Sequence, residues 1–455
     1  MAKEPKISVG VMAAQEPIEF HLLTSFEVNG KITLSPGDYK VCLDRGRVSL
    51  LTHEGQLITR DRLIRLLPKR FQESRLLLRQ IPIGRGFHWE GRQDLTLQGE
   101  FQVQCSKGKE LQVISWLPLE MYLSSVIGSE MSGTAPLEFL KAHAVISRSW
   151  AMRIMEGKGS VSLSPSSTPE PTEDTILRWT GTEIHQGFDV CADDHCQRYR
   201  GFLEETARNT ESAVRETRGE ILTYKDETCD TRYSKCCGGM TENFSTAWED
   251  QNVPYLRGLH DNDRPSPGFS FPLSEERNAE AWITGSPEAF CKTRNREILE
   301  TVLSPSDRTT RDFYRWETSH SQDEICGIVT QKTGRQLGWI RDLLALERGA
   351  SGRISRLRIV GTARTLTVGK ELEIRRILSP THLYSSALVI KKEGERRDGI
   401  PSAFRLTGAG WGHGVGLCQI GAAVMATHGR TYGEILRHYF PNTHLSKLYG
   451  SAEVR

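Results

Sequence analysis

The chain has 455 residues, with 59 Lys and Arg against 57 Asp and Glu and a net charge of +2. That balance argues against a protein held on nucleic acid by bulk charge, and a charged share of 25 % is ordinary for a soluble globular chain. No apolar run reaches about 18 residues, so no transmembrane helix is expected, and the length allows two domains or one with insertions.

Residues 6–105 predict a series of short strands, among them Ile7–Met12, Tyr39–Leu43, Val48–Leu51 and Leu95–Val103, separated by polar turns such as Ser35-Pro36-Gly37-Asp38. No apolar h-region or cleavage site precedes Ile7, so no secretory signal peptide is expected there. Pro118 opens a helix with apolar residues at Leu119, Tyr122, Leu123, Val126 and Ile127. Gly128-Ser129 is expected to interrupt it just before Glu130, and Ser132-Gly133-Thr134 to break it. Pro136 starts a second helix, through Met155, that is apolar nearly all round and therefore internal.

Residues 156–182 read as an exposed Ser/Pro/Thr/Gly loop, and 218–248 as strands around a glycine turn. Residues 262–350 are polar and charge-rich, with helices near Pro287–Leu303 and Ser321–Thr333. Alternation returns at Ile354, Leu357, Ile359, Leu366 and Val368, and Thr431-Tyr432-Gly433-Glu434 fits a capping box that starts the last helix. The expected class is α+β: a strand-rich mixed core with a few buried helices and an inserted subdomain. Its divisions are 1–110, 111–261, 262–350 (the insertion) and 351–455.

Four constellations could carry chemistry. Glu130 stands at a helix end beside apolar surface, which raises a carboxyl pKa and keeps a proton available for a glycosidic oxygen. A partly exposed helix-terminal Glu without chemistry fits the same local sequence. Next, His185-x5-Cys191-x3-His195-Cys196 offers soft ligands for tetrahedral zinc, with His185, Cys191 and Cys196 as the natural three and His195 or a water as the fourth. A Cys191–Cys196 disulfide or plain buried thiols fit that spacing too. Third, Tyr233-Ser234-Lys235-Cys236-Cys237-Gly238-Gly239-Met240-Thr241-Glu242 holds adjacent cysteines, which rarely pair with each other, and a tight glycine turn. Last, Gly408–Ala422 has five glycines in nine positions with Trp411 and His413 among them. Glycine allows positive φ and close approach, which suits a site where a polymer lies against main chain.

These motifs carry a resemblance. Gly410–Ala422, then Met425-Ala426, Gly429, Tyr432, Ile435-Leu436 and His438–Thr443, resembles the C-terminal signature of the SpoIID/LytB family, bacterial cell-wall proteins of sporulation and peptidoglycan turnover. Phe440 and Asn442 stand where that family has Tyr and Gly. Leu117–Leu123, Gly128–Met131 and Pro136–Val145 resemble its segment around Ser-Glu-Met, with His143 in place of Gln and Ser149-Trp150 in place of Thr-Tyr. Tyr233–Glu242 with Trp248 resembles its YSxxCGGxTE…W. The likeness covers roughly 117–261 and 352–447.

The resemblance implies a lytic transglycosylase that cleaves N-acetylmuramic acid–N-acetylglucosamine bonds in glycan strands stripped of peptides, with Glu130 as the catalytic acid. It implies a structural zinc at His185, Cys191 and Cys196, ahead of a Gln-x-Tyr-x-Gly that matches Gln197–Gly201. Lys141, Arg148, Tyr233, Ser234, Trp248, His413 and Gln419 are the expected substrate contacts. Lys141 and Arg148 would orient Glu130 or bind a lactyl carboxylate, and Trp248 would stack on a sugar or serve as a core aromatic. His413 would bind substrate or hold the glycine loop, and Glu242 is a weaker rival acid. The alternative is a non-enzymatic glycan-binding enhancer of an N-acetylmuramoyl-L-alanine amidase. Expected partners are peptidoglycan glycan strands and such an amidase, with no nucleic acid. The expected location is the cell envelope, periplasmic or extracellular. A cytoplasmic metal protein would account for the Cys/His cluster but leaves the other motifs unexplained.

Overall fold

A computed structural model describes residues 3–15, 17–87, 89–106, 110–158, 169–179, 185, 187–204, 207–304, 307–309 and 312–450. The chain divides into two compact units, one of residues 1–161, 182–222 and 445–455, the other of residues 162–181 and 223–444.

The first unit is built on two sheets. One runs in the order Val190–Cys191, Lys6–Ala14, Glu110–Pro118, Glu100–Ser106, Leu63–Pro68, Phe26–Val28, Ile32–Leu34. The other runs Gly91–Leu97, Leu76–Ile83, Ile18–Leu22, Gly37–Asp44, Arg47–Thr52, Leu57–Asp61. Period-two alternation turns Ile18, Phe20, Leu76 and Leu78 inward, where they line one small apolar cavity with Leu66, Phe101, Val103 and Val113 of the first sheet. Lys6–Ala14 is buried continuously from Ile7 to Val11, as a strand covered on both faces should be. The single strand expected over Leu95–Val103 is two strands serving different sheets. The chain turns at Gly99 (φ 111°), where a Cβ would lie 2.5 Å from the Trp116 carbonyl oxygen.

Two helices lie in this unit as the prolines predict: α1 (Leu119–Glu130) follows Pro118, and α2 (Leu137–Arg153) follows Pro136. The expected break at Gly128-Ser129 is absent. An interior glycine costs a helix only about 1 kcal/mol, and the burial of Val126, Ile127 and Ser129 outweighs it. Helix α1 ends at Met131, which is extended. Helix α2 is buried on almost every side, and α3 (Ala207–Glu216) packs against both. Arg148 of α2 is fully buried and makes a two-toothed ion pair with Glu120 of α1, at 3.0 and 2.6 Å. Glu120 also accepts from the Tyr449 hydroxyl (2.7 Å) and the Gly219 amide (3.2 Å).

In the second unit a four-stranded sheet runs Thr175–Leu177, Thr365–Gly369, Ile354–Gly361, Ile340–Arg348, and a three-stranded sheet runs Arg315–Ser321, Ala403–Ala409, Leu388–Glu393. Residues 262–350 are therefore not set apart as a subdomain. Arg315–Ser321 pairs residue by residue with Ala403–Ala409, and Ile340–Arg348 pairs with Ile354–Gly361. Ile325, Val329, Ile340 and Leu343 share one core with Ile354, Leu357, Phe404 and Leu406. The α+β class stands, with the expected insertion woven into its sheets. The two helices expected there form over Arg296–Val302 and Gln322–Thr333, the latter with a Ser321/Glu324 capping box. The Thr431/Glu434 box caps Tyr432–Tyr439. Of the expected loop 156–182, residues 159–168 and 180–182 lie outside the described residues, while Thr175–Leu177 is a parallel strand. Among the described residues no helix is long and apolar enough to cross a membrane.

Candidate functional site

Glu130 closes α1. It lies four residues beyond Val126, on the side that packs inward, and keeps 8 % of its surface exposed. Its Oε1 accepts the Arg198 backbone N–H at 2.8 Å. The Arg198 side chain pairs with Asp194, at 2.7 Å. On either side of that amide, Gln197 accepts the Tyr122 hydroxyl (3.1 Å) and Tyr199 stacks on the Tyr122 ring (centroids 5.7 Å, 18°). The segment Gln197–Tyr199 is thus laid along α1 and fixes the direction of the Glu130 carboxyl. A nearly buried carboxyl held by a backbone donor can give or take a proton at one place.

Immediately before that segment lies the cysteine and histidine cluster. Val190–Cys191 pairs in parallel with Val9-Gly10, and the Cys196 amide closes a turn on the Asp193 carbonyl at 3.0 Å. Gly10 leaves room for Phe188, whose ring packs on His185 with centroids 4.9 Å apart; a Cβ at Gly10 would lie 2.5 Å from it. The Cys196 sulfur is 3.4 Å from His185 Nε2 and 3.4 Å from His195 Nδ1, and the Cys191 sulfur is 3.9 Å from His195 Nδ1. All four donor atoms lie within 4.8 Å of one another. A tetrahedral zinc with sulfur at about 2.3 Å and nitrogen at about 2.0 Å has S···N edges of about 3.5 Å, so this set of two thiols and two imidazoles fits that ion. His195 stands where the spacing left a choice between histidine and water. Cys191 and Cys196 are free thiols here, not a disulfide. Hydrogen bonding from Cys196, opposed by burial and aided by the two imidazoles, pulls the Cys191 thiol far below the usual thiol range, toward the thiolate that a metal requires.

The other two motifs meet inside the second unit. Tyr233–Ser234 pairs in parallel with Leu417–Cys418, Cys236 bridges to Trp411, and Glu242 bridges to Val415. Gly410, Gly412, Gly414 and Gly416 all have φ between 75° and 92°, so alternate residues are left-handed and the loop coils tightly. It winds around Arg353, which is fully buried and donates to the Gly412 carbonyl (3.2 Å), the Cys237 carbonyl (3.1 Å) and the Ser351 hydroxyl (2.8 Å). A Cβ at Gly414 would lie 2.5 Å from the Arg353 guanidinium.

His413 Nδ1 accepts the Val415 amide at 3.0 Å, and the ring meets Trp248 edge-on at 4.9 Å. Burial, with the guanidinium charges of Arg232, Arg353 and Arg375, holds His413 well below its usual pKa, so it is the neutral ring that braces the loop.

The expected site residues fall into different environments. Tyr233 and His413 retain some exposure, whereas Ser234, Trp248 and Gln419 are buried. Trp248 stacks on Phe244 (5.1 Å) and lies under the Arg232 guanidinium (4.4 Å), in the manner of a core aromatic. Arg148 corrects the expectation of a substrate contact: with no exposed surface, its guanidinium is committed to Glu120. Lys141 pairs with Glu138 and Glu216, each at 2.8 Å. The rival acid Glu242 is fully buried and accepts from the Ala350 and Ser351 amides and the Ser351 hydroxyl, a fixed structural anchor. Sequence reasoning missed the Arg198 amide and Arg353. The only local signal for the first was the Gln197–Gly201 run, and for the second there was none.

Residues 107–224 match the family model described as Stage II sporulation protein, and residues 242–416 match a domain of unknown function (DUF8618). The chain is 25 % identical over 333 residues to the amidase enhancer of Bacillus subtilis (strain 168), which covers 71 % of this chain and 40 % of that protein. It is 23 % identical over 338 residues to stage II sporulation protein D of the same strain, covering 74 % and 76 %. The corresponding protein of Bacillus amyloliquefaciens is 23 % identical over 331 residues, covering 73 % and 75 %.

Proposed function

We propose that this chain, which carries a Stage II sporulation protein domain over residues 107–224, has a cell-wall role as a peptidoglycan lytic transglycosylase with Glu130 as its acid and base. The observation that carries the reading is the Glu130 carboxyl: nearly buried at the end of α1, oriented by the Arg198 amide, and inside the matched segment.

The substrate is the bond between muramyl C1 and the oxygen of the next N-acetylglucosamine, in strands without stem peptides. Glu130 gives its proton to that oxygen as the C1–O bond breaks. The resulting carboxylate then takes the proton of the muramyl C6 hydroxyl as its oxygen bonds to C1, closing a 1,6-anhydro ring. Protons balance without water, so no second carboxylate is needed, unlike in a hydrolytic glycosidase. Tyr233 and His413, which keep exposed surface, are separately proposed as glycan contacts.

His185, Cys191, His195 and Cys196 would hold one zinc ion, a closed site that supplies folding stability and no open coordination position. Its effect would reach Glu130 through the chain, because Cys196 directly precedes the segment that orients the carboxyl.

The reading is tested by mass spectrometry of glycan strands, bare or bearing stem peptides, after incubation with wild type and Glu130→Gln. Anhydro-muramyl ends from wild type on bare strands, reduced by about 10²-fold or more in the variant, are expected of a lost general acid. The likeness to an amidase enhancer favours a second reading, in which the chain binds glycan and stimulates a separate amidase. Amidase stimulation that survives Glu130→Gln, with no anhydro product from either protein, would establish that reading instead.

A further inference from the structure

A second group of metal-ligating atoms lies in the second unit, in four segments remote from one another in sequence. Cys237, Asp261, Cys291 and Cys418 are each 2 % exposed or less, and their donor atoms all lie within 4.8 Å of one another. The Cys237 and Cys291 sulfurs are 3.7 Å apart. That is too far for an S–S bond and matches the S···S edge of about 3.8 Å of a tetrahedral zinc thiolate.

The surroundings serve anionic ligands. Cys418 sulfur accepts the Cys237 amide at 3.2 Å. Asp261 Oδ2 accepts the Cys291 amide at 2.8 Å, and Oδ1 accepts the Tyr439 hydroxyl at 2.6 Å. Each carboxylate oxygen keeps a second lone pair. These are the hydrogen bonds that orient ligands around an ion. Room for the carboxylate comes from Gly421, where a Cβ would lie 2.4 Å from Asp261 Oδ1. A fully buried carboxylate beside three thiols is costly unless it takes up a proton or a cation shares the space.

We propose that Cys237, Asp261, Cys291 and Cys418 bind one zinc-class divalent ion in a closed structural site. Three thiolates and one carboxylate around a divalent ion give the same charge balance as the four thiolates of an all-cysteine zinc site. The ion ties the turn after Tyr233–Ser234 to the residue that leads from the glycine loop into the helix Gln419–Thr427. The site is independent of the glycan chemistry and of the His185 cluster.

The test uses the full chain, purified without chelator. Elemental analysis and native mass spectrometry should find zinc that persists in His185→Ala/Cys196→Ser and falls by one ion per chain when Cys291→Ser is added. Cobalt(II) loaded into His185→Ala/Cys196→Ser should give thiolate charge-transfer and tetrahedral visible bands, both lost with Cys291→Ser and altered by Asp261→Asn. Should the Cys291 variants not fold, alkylation mapping of wild type decides: Cys237, Cys291 and Cys418 should resist iodoacetamide until a chelator is added. A wild-type mass two units low with a Cys237–Cys291 linked peptide would overturn the proposal. So would metal content indifferent to Cys291, or alkylation indifferent to chelator.

Discussion

Replacing Arg148 separates a structural role from a substrate-binding one. The wild-type guanidinium is fully buried, grips both oxygens of Glu120 at 3.0 and 2.6 Å, and also donates to the Glu220 carbonyl at 3.0 Å. Arg148→Met fills much of the same volume but leaves the Glu120 carboxylate buried without its countercharge, retaining the Tyr449 hydroxyl and the Gly219 amide as donors. Breaking one side of a buried pair costs about 3–5 kcal/mol. For a unit of this size, each kcal/mol moves Tm by about 2–4 °C, so the melting temperature should fall by roughly 6–20 °C. The double variant Arg148→Met/Glu120→Leu removes both charges and should recover a large part of that loss, since a packed apolar pair can replace an ion pair. Thermal melts followed by circular dichroism, with glycan cleavage measured well below each transition, provide the assay. A single variant that melts within about 2 °C of wild type, the allowance for a surface change, yet has lost glycan cleavage would refute the structural assignment and return Arg148 to the substrate.

The remaining predictions concern the glycine loop, its histidine and the first metal cluster. Gly414→Ala forces a Cβ onto the Arg353 guanidinium from a left-handed backbone, so it should cost about 2–5 kcal/mol from conformational strain and overpacking together. Gly429→Ala, also left-handed but with nothing within 4 Å of the new carbon, should cost only about 1–2 kcal/mol; urea midpoints rank the two, and equal losses would contradict the packing argument. His413 is depressed in the folded state by burial and by Arg232, Arg353 and Arg375, so the unfolded chain binds the extra proton. Its contribution is complete above the unfolded value near 6.5 and declines on acidification by about 1.4 kcal/mol per pH unit toward the folded value. Subtracting the pH profile of His413→Gln from that of wild type should isolate this slope, and a flat difference would sink the assignment. Cys196→Ser should loosen the segment behind it, seen as faster amide exchange at Arg198 and a weaker glycan cleavage, while exchange in the second unit stays unchanged.

What the sequence disclosed was what lies close along the chain. Proline starts, the Thr431/Glu434 cap and most period-two strands are set by interactions within a few residues, and these appear where spacing puts them. The grouping of His185, Cys191, His195 and Cys196 was visible for the same reason, as a short ligand spacing, whereas Glu130 was singled out by the resemblance around Ser-Glu-Met. The errors arose where the partner is distant. Gly128 did not break α1 because packing against α2 and α3 supports it. Residues 262–350 looked independent because their ladder partners, Ile354–Gly361 and Ala403–Ala409, follow in the chain or lie far beyond it.

Arg353 shows why that limit bears on function. Nothing around it in the sequence marks it, yet the glycines at 410, 412, 414 and 416 are spaced for a loop that must coil around something. The guanidinium supplies that axis, donating to the Gly412 and Cys237 carbonyls and so to both glycine motifs at once. Glycines recurring at every second residue are too frequent for a single tight turn, and each left-handed residue turns a carbonyl toward a donor that has to come from elsewhere. A glycine pattern of this kind therefore implies buried donors from elsewhere: Trp316 Nε1 serves the Gly410 carbonyl, Arg353 the Gly412 carbonyl and the Glu242 amide the Gly414 carbonyl. Arginine is the side chain with enough N–H groups to serve several carbonyls from one point. On that reasoning Arg353→Lys, which keeps the charge but loses the planar fork, should disorder the glycine loop nearly as much as Arg353→Met. Amide exchange at Gly412–Gly416 is the measurement, and a loop equally protected in wild type and Arg353→Lys would show that charge alone suffices.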